Sequence, residues 1–242
     1  MPLRDHFRPP LSTRFSWEGV HGGWPMTIVQ RLASVLPAGF VAEPRVHLGP
    51  YFEIDVAGFD HDDSEGVAAE DDGGGVATAP VVAPPPTLIA DGEVATPYEY
   101  EALVFDEARG RTLVAAVEIV SPGNKDRPKT RRLFAAKCAT LVRQGVCVAV
   151  VDVVTSAAAN LYTEVLDELR ARDPAFLPTP PATYAAAIRR RTDGPPTLEA
   201  WAYALEVGRV LPMLPLWLTE TVWVPLELEA SYEDTCRALR IP

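Results

Sequence analysis

Apolar residues recur first at Trp17, Val20, Trp24, Ile28, Leu32 and Val35, three or four positions apart, which predicts a helix. Gly22, Gly23 and Pro25 interrupt it, predicting either two short helices or one that starts at Pro25, and Pro37-Ala38-Gly39 ends it. The period then changes to two. "GFVAEPRVHLGPYFEIDVAGF" predicts two strands around Leu48-Gly49-Pro50, with Phe52, Ile54 and Val56 alternating against Glu53 and Asp55. "YEYEALVFDEARGRTLVAAVEIVSP" predicts a long hairpin turned at Ala108-Arg109-Gly110. Leu133, Phe134, Cys138, Leu141 and Val142 give helical spacing from Pro128 to Gln144, ended by Gly145. "GVCVAVVDVV" is a β-branched run suited to a strand covered on both faces, and "NLYTEVLDELRARD" is an amphipathic helix. "ATYAAAIRRR" and "LEAWAYALEVG" predict a further hairpin, followed by a loop-rich segment and a terminal helix.

A strand, helix, strand crossover in the middle forces a parallel pair, so the expected fold class is α/β, a mixed sheet flanked by helices in the order αβββαβ with a C-terminal extension. The length of 242 residues is read as a single domain spanning 1–242. Its core covers about 15–170, a flexible acidic insertion about 60–92, and the hairpin and helix extension about 180–242. The insertion, "DHDDSEGVAAEDDGGGVATAPVVAPPP", has no aromatic residue and too little apolar surface to offset its ordering entropy.

Charge changes the picture only when it is mapped along the chain. The formal net charge is -11, which at face value disfavours nucleic acid and anionic membranes. Between Val46 and Ala108, however, there are 15 of the 33 acids and no Lys or Arg, leaving 18 acids against 22 basic residues elsewhere. The remainder is mildly cationic, so nucleic acid stays a candidate partner. Cys138, Cys147 and Cys236 lack metal or disulfide spacing, and two of them fall in apolar patterns that suit a small core residue. The N-terminus carries charge and proline where a signal peptide needs an apolar run, and no segment has the apolar length to cross a bilayer. The expected location is the cytoplasm, with no membrane partner.

The candidate chemistry centres on Glu118, a carboxylate inside a strand that otherwise reads as buried, where a charge requires a partner, a metal or a path to solvent. Asp55 and Asp152 also stand near strand ends. Lys137 shares a helical stripe with Phe134, Cys138 and Leu141 and is therefore expected to face the sheet. Two strand carboxylates and a lysine are the minimal set for metal-assisted phosphodiester hydrolysis, because carboxylate oxygens hold a hard Mg²⁺ and the lysine orients or helps deprotonate a water. The basic run Lys125, Arg127, Lys129, Arg131 and Arg132 offers phosphate binding.

Each residue also has a structural role open to it. Glu118 can pair with Arg109, Arg111 or Lys137, Asp55 can lie on a solvated strand face, Lys137 can snorkel past its stripe, and Asp152 can satisfy backbone. Ser121 to Lys125 is a good turn sequence, although basic residues beside a helix N-terminus oppose its dipole and so favour an anion there. His21 and His47 lack ligand spacing. The five tryptophans suit a core or an interface better than base stacking, and a Trp-rich C-terminal segment that dimerises is a further reading.

"VEIVSPGNK", the helix bearing Lys137 and "GVCVAVVDVV" together resemble the core of the family catalogued as domain of unknown function 4058, and are similar to the Uma-type restriction-endonuclease-like proteins of cyanobacteria. "WEGVH" at Trp17 to His21, "EIDVA" at Glu53 to Ala57 and the terminal "LPMLPLWL…VPLELEASYEDTCRAL" extend the likeness over nearly the whole chain outside the acidic insertion. The resemblance implies a PD-(D/E)XK nuclease-like fold, Mg²⁺ as cofactor, Asp55 and Glu118 as metal carboxylates, and Glu18 as an accessory acid. The chain departs from the nuclease pattern two residues after Glu118, where Val120 stands, so Lys137 or Lys125 would have to supply the lysine.

Overall fold

The structure, a computed structural model, describes residues 2–48, 98–193 and 196–242. The expected strand at 51–58, with Asp55, and the acidic insertion lie outside the described residues.

The helix expected near the N-terminus forms as one continuous α1, Trp17–Leu32, with Ser16 as its cap and Pro25 inside it. Neither a break nor a start at Pro25 occurs. Burial holds the helix together: Val20, Trp24, Ile28 and Leu32 are in the core, outweighing the hydrogen bond that a mid-helix proline forfeits. The remaining elements are β1, Phe40–Leu48; β2, Tyr98–Asp106; β3, Thr112–Ile119; the short α2, Pro122–Asp126; α3, Pro128–Arg143; β4, Cys147–Asp152; α4, Leu161–Glu168; β5, Tyr184–Arg191; β6, Thr197–Ala204; β7, Met213–Trp217; β8, Trp223–Glu227; and α5, Leu228–Ala238.

β1 to β6 hydrogen-bond in that order in one sheet. β3 and β4 run parallel, joined by the crossover through α2 and α3, and the other described neighbours are antiparallel. The fold is thus a mixed-orientation sheet flanked by helices, as expected. The segment expected to be loop-rich departs from expectation: β7 and β8 pair as a hairpin. Pro215 faces Pro225 across it, and a proline at each position suppressed the strand reading of the sequence.

Alternation along the strands separates two cores. Ala115, Val117, Ile119, Ala149 and Val151 pack with α1, the β7–β8 hairpin and α5. Ala116, Val120, Val148, Val150, Ala186 and Ile188 pack with α3 and α4. α1 and α5 approach closely on the first face, where Gly23 lies so near α5 that an added Cβ would sit 3.5 Å from Thr235. Trp24 Nε1 donates to Ser231 Oγ at 2.9 Å across that contact. All three cysteines are free and buried. No helix among the described residues is long and apolar enough to cross a membrane.

His6 is buried beside this contact, its Nε2 paired with Tyr232 Oη at 2.7 Å and its ring against Trp17. Burial, reinforced by Arg4, pushes its pKa down to about 4, with Asp5 acting the other way. The unfolded chain therefore takes up a proton at His6 near the ordinary 6.5 while the folded chain does not. Stability from this group is complete above that value and declines as pH falls towards 4. The stability advantage of the wild type over His6→Gln, measured as the urea midpoint, should shrink steadily from neutral pH to about pH 4. A difference independent of pH would contradict the assignment.

Candidate functional site

β3 ends in a built turn. Ser121 caps α2, and Asn124 Oδ1 accepts from the Ser121 N–H at 2.8 Å, while Pro122 occupies the first helical turn where no N–H is needed. This reverses the chain within one short helix and turns Lys125 inward. Lys125 is therefore not part of an exposed basic cluster. Its ammonium lies 2.9 Å from Asp152 Oδ2 and donates to the carbonyls of Ala182 and Val154 at 2.7 and 3.3 Å, with both side chains 0% exposed. Asp152 also accepts from Val154 N–H at 2.9 Å, the backbone role expected of it. Burial pushes the Asp152 pKa up to about 7 against the opposing pull of Lys125.

The second charged group lies on the same layer of the sheet, under α3. Glu118 on β3 faces Glu101 on β2 in direct cross-strand register, and the two residues are 2% and 1% exposed. Two like charges in that arrangement are destabilising by themselves. Lys137, one stripe along α3 from Phe134 and Cys138, resolves the conflict: its Nζ lies 2.9 Å from Glu118 Oε2 and 3.6 Å from Glu101 Oε2. Its side chain remains 10% exposed, so the cluster reaches the surface only through the lysine.

Burial raises the Glu118 pKa well above the ordinary carboxylate range; Lys137 opposes the shift and the facing Glu101 adds to it. The acid pair consequently retains a proton at pH values where a solvated glutamate has lost it. Glu118 Oε1 is buried without a hydrogen-bond partner.

The expected residues thus divide. Glu118 and Lys137 come together, and the pairing is among those anticipated for Glu118. Glu101 joins them although the sequence reading passed over it. The hairpin alone does not give its partner: counting outward from a turn centred on Arg109 places residue 101 opposite residue 117, and the register shift at Val104/Phe105 brings it opposite Glu118. Lys125 pairs with Asp152 instead. Glu18 is exposed in the first turn of α1, on the helix that packs against the other face of the sheet. Arg131 pairs with Glu164 at 2.8 Å, while Arg127 and Lys129 are exposed near the start of α3. Asp55 lies outside the described residues. Among those described, no three or more His, Cys, Asp or Glu side chains form a group able to hold a metal ion.

Comparison of the chain with protein-family models, with curated proteins and with solved structures gives no match.

The two charged groups make distinct energetic demands. Removing either member of the Lys125–Asp152 pair strands a fully buried charge, at a cost of about 3–5 kcal/mol. Replacing both by apolar residues, Lys125→Met with Asp152→Leu, should restore most of that loss in urea unfolding. Additive single and double effects would show that the two groups do not act as a pair.

Proposed function

We propose that the protein is a PD-(D/E)XK-like phosphodiester hydrolase that uses a divalent cation, with Glu118 as metal carboxylate and Lys137 as the lysine that has moved from strand to helix. The observation that carries this reading is the 2.9 Å approach of Lys137 Nζ to Glu118 Oε2 beside a second strand carboxylate. It assembles, on one face of a mixed sheet, the residue types that the motif "EIVSPGNK" leads one to expect.

The donor set suits a hard cation. Glu118 Oε1 is a carboxylate oxygen with no partner, and Glu101 adds a second carboxylate next to it. Asp55 would complete the set. A bound Mg²⁺ or Mn²⁺ would lower the pKa of a coordinated water and neutralise charge on the scissile phosphate. The chain's own residues do the rest. Glu118 and Glu101 must surrender their retained proton before they can ligate, so affinity for the cation should rise with pH. Lys137, the member nearest solvent, would then be released from Glu118 to orient the attacking water. Arg127 and Lys129, exposed near the N-terminal end of the same helix, would hold backbone phosphates, and nucleic acid is the proposed substrate.

One observation favours a second reading. Glu101 and Glu118 are almost wholly buried with Lys137 against both, as they would be in a fold member that has lost catalysis and serves as a partner-binding or self-associating module.

Calorimetry with Mn²⁺ or Mg²⁺, run in two buffers of different ionisation enthalpy, separates the readings. The hydrolase reading expects saturable binding with proton release, abolished in Glu118→Ala. Metal-dependent cleavage of single- or double-stranded DNA or RNA should fall by about 10²-fold or more in Lys137→Ala. No binding at millimolar metal would leave Glu118 a structural carboxylate and favour the non-catalytic module.

A further inference from the structure

A cavity of about 440 Å³ lies away from Glu118. It opens where β3 and β4 begin and β5 ends, the opposite end of the sheet from Glu118 and Asp152, and the turn between β7 and β8 forms one wall. Its volume is on the scale of small-molecule sites.

Its charge is opposite to that of the chain. Arg109, Arg189 and Arg190 line it against one carboxylate, Glu220, in a protein of formal net charge -11. Two of the arginines are committed to acids: Arg109 Nε donates to Asp106 at 2.8 Å, and Arg189 Nε and Nη2 both reach Glu199 Oε2 at 2.7 Å. Arg189 is also clamped over the Trp217 ring, with its guanidinium carbon 3.5 Å from the ring centroid, so this wall is rigid. Arg190 differs. It donates to the Arg143 carbonyl at 3.1 Å and has no carboxylate partner among the described residues, which leaves most of its guanidinium fork available.

Two further lining residues carry unmet hydrogen-bonding groups. Trp217 Nε1, a donor, and Glu220 Oε2, an acceptor, are both buried without partners. Glu220 is itself fixed, since its Oε1 accepts from the Thr192 N–H at 2.9 Å and its carbonyl accepts from Arg189. A buried donor and a buried acceptor without partners, on two residues that line one cavity, each carry a desolvation cost that a hydrogen-bonding partner relieves.

We infer that this cavity binds a small organic anion that carries a carboxylate or phosphate for Arg190 and Trp217 Nε1 and an ammonium or hydroxyl donor for Glu220. The three features act together: the Arg190 guanidinium selects the anion, the indole N–H supplies a donor for it, and the Glu220 carboxylate selects a ligand that also donates. The site is independent of the hydrolase reading, because it shares no residue with the Glu118 group.

Isothermal titration of the full chain with O-phosphoserine, glutamate and succinate tests the inference. The first two combine an anion with an ammonium and differ in whether the anion is phosphate or carboxylate; succinate lacks the donor. At least one of the two amino acids should bind saturably at one site, and succinate should bind about tenfold more weakly than that probe. Arg190→Gln, an exposed position with one backbone contact, should fold normally and lose about tenfold in affinity. Glu220→Gln should narrow the gap between the amino acid and succinate. Absence of saturable binding by both amino acids at millimolar concentration, or binding unchanged in Arg190→Gln, would overturn the proposal.

Discussion

Placing ionisable groups in the middle of a covered sheet is the constraint on which this structure depends. The layer under α3 and α4 is otherwise apolar, yet it contains Glu101, Glu118, Asp152, Lys125 and Lys137. Each lysine comes from the crossover between β3 and β4, and each reaches an acid on the sheet. The parallel strand pair and its charge compensation are therefore parts of one arrangement: α2 brings Lys125 to the end of β4, and α3 brings Lys137 over β2 and β3. A crossover of different length would leave acids uncompensated in a medium that penalises them heavily.

The two compensations differ in a way that bears on function. Lys125 finds three oxygens around it and closes its site completely. Lys137 serves two carboxylates at unequal distances, stays in touch with solvent, and leaves one oxygen of Glu118 unmet. The first group reads as structural: Asp152 Oδ1 accepts from Val154 N–H and Asp152 Oδ2 is held by the 2.9 Å ion pair with Lys125. The second sets two buried carboxylates around one lysine, and burial holds the Glu118 proton well above the ordinary carboxylate range, the condition in which a cation can compete with a proton.

Much of this was legible in the sequence, and the failures have physical causes. The α1 periodicity, the 98–119 hairpin, the crossover helix and the β-branched β4 all appear where the pattern of apolar positions places them, because burial on one face or both determined them. Pro25 and the prolines of β7 and β8 misled for a single reason: local propensity argues against structure that tertiary packing here enforces. Lys137 was identifiable from its helical stripe. Lys125 was not, since the run around it looked like a solvated cluster, and only the one-turn α2, capped by Ser121, rotates it inward. Glu101 required the hairpin register, and the cavity bounded by Arg189, Arg190 and Glu220 depends on long-range placement of the β7–β8 turn that no local pattern encodes.

The most direct test of the central proposal, that the buried acid pair of Glu118 and Glu101 exchanges a retained proton for a cation, is a ¹³C carboxyl NMR titration of glutamate-labelled protein with and without Mg²⁺. The account predicts that Glu118 titrates well above the ordinary glutamate range without metal and that Mg²⁺ moves this titration to lower pH, with Lys137→Met raising the metal-free value further. A Glu118 carboxyl that titrates in the ordinary range, or one raised but indifferent to Mg²⁺, would contradict it.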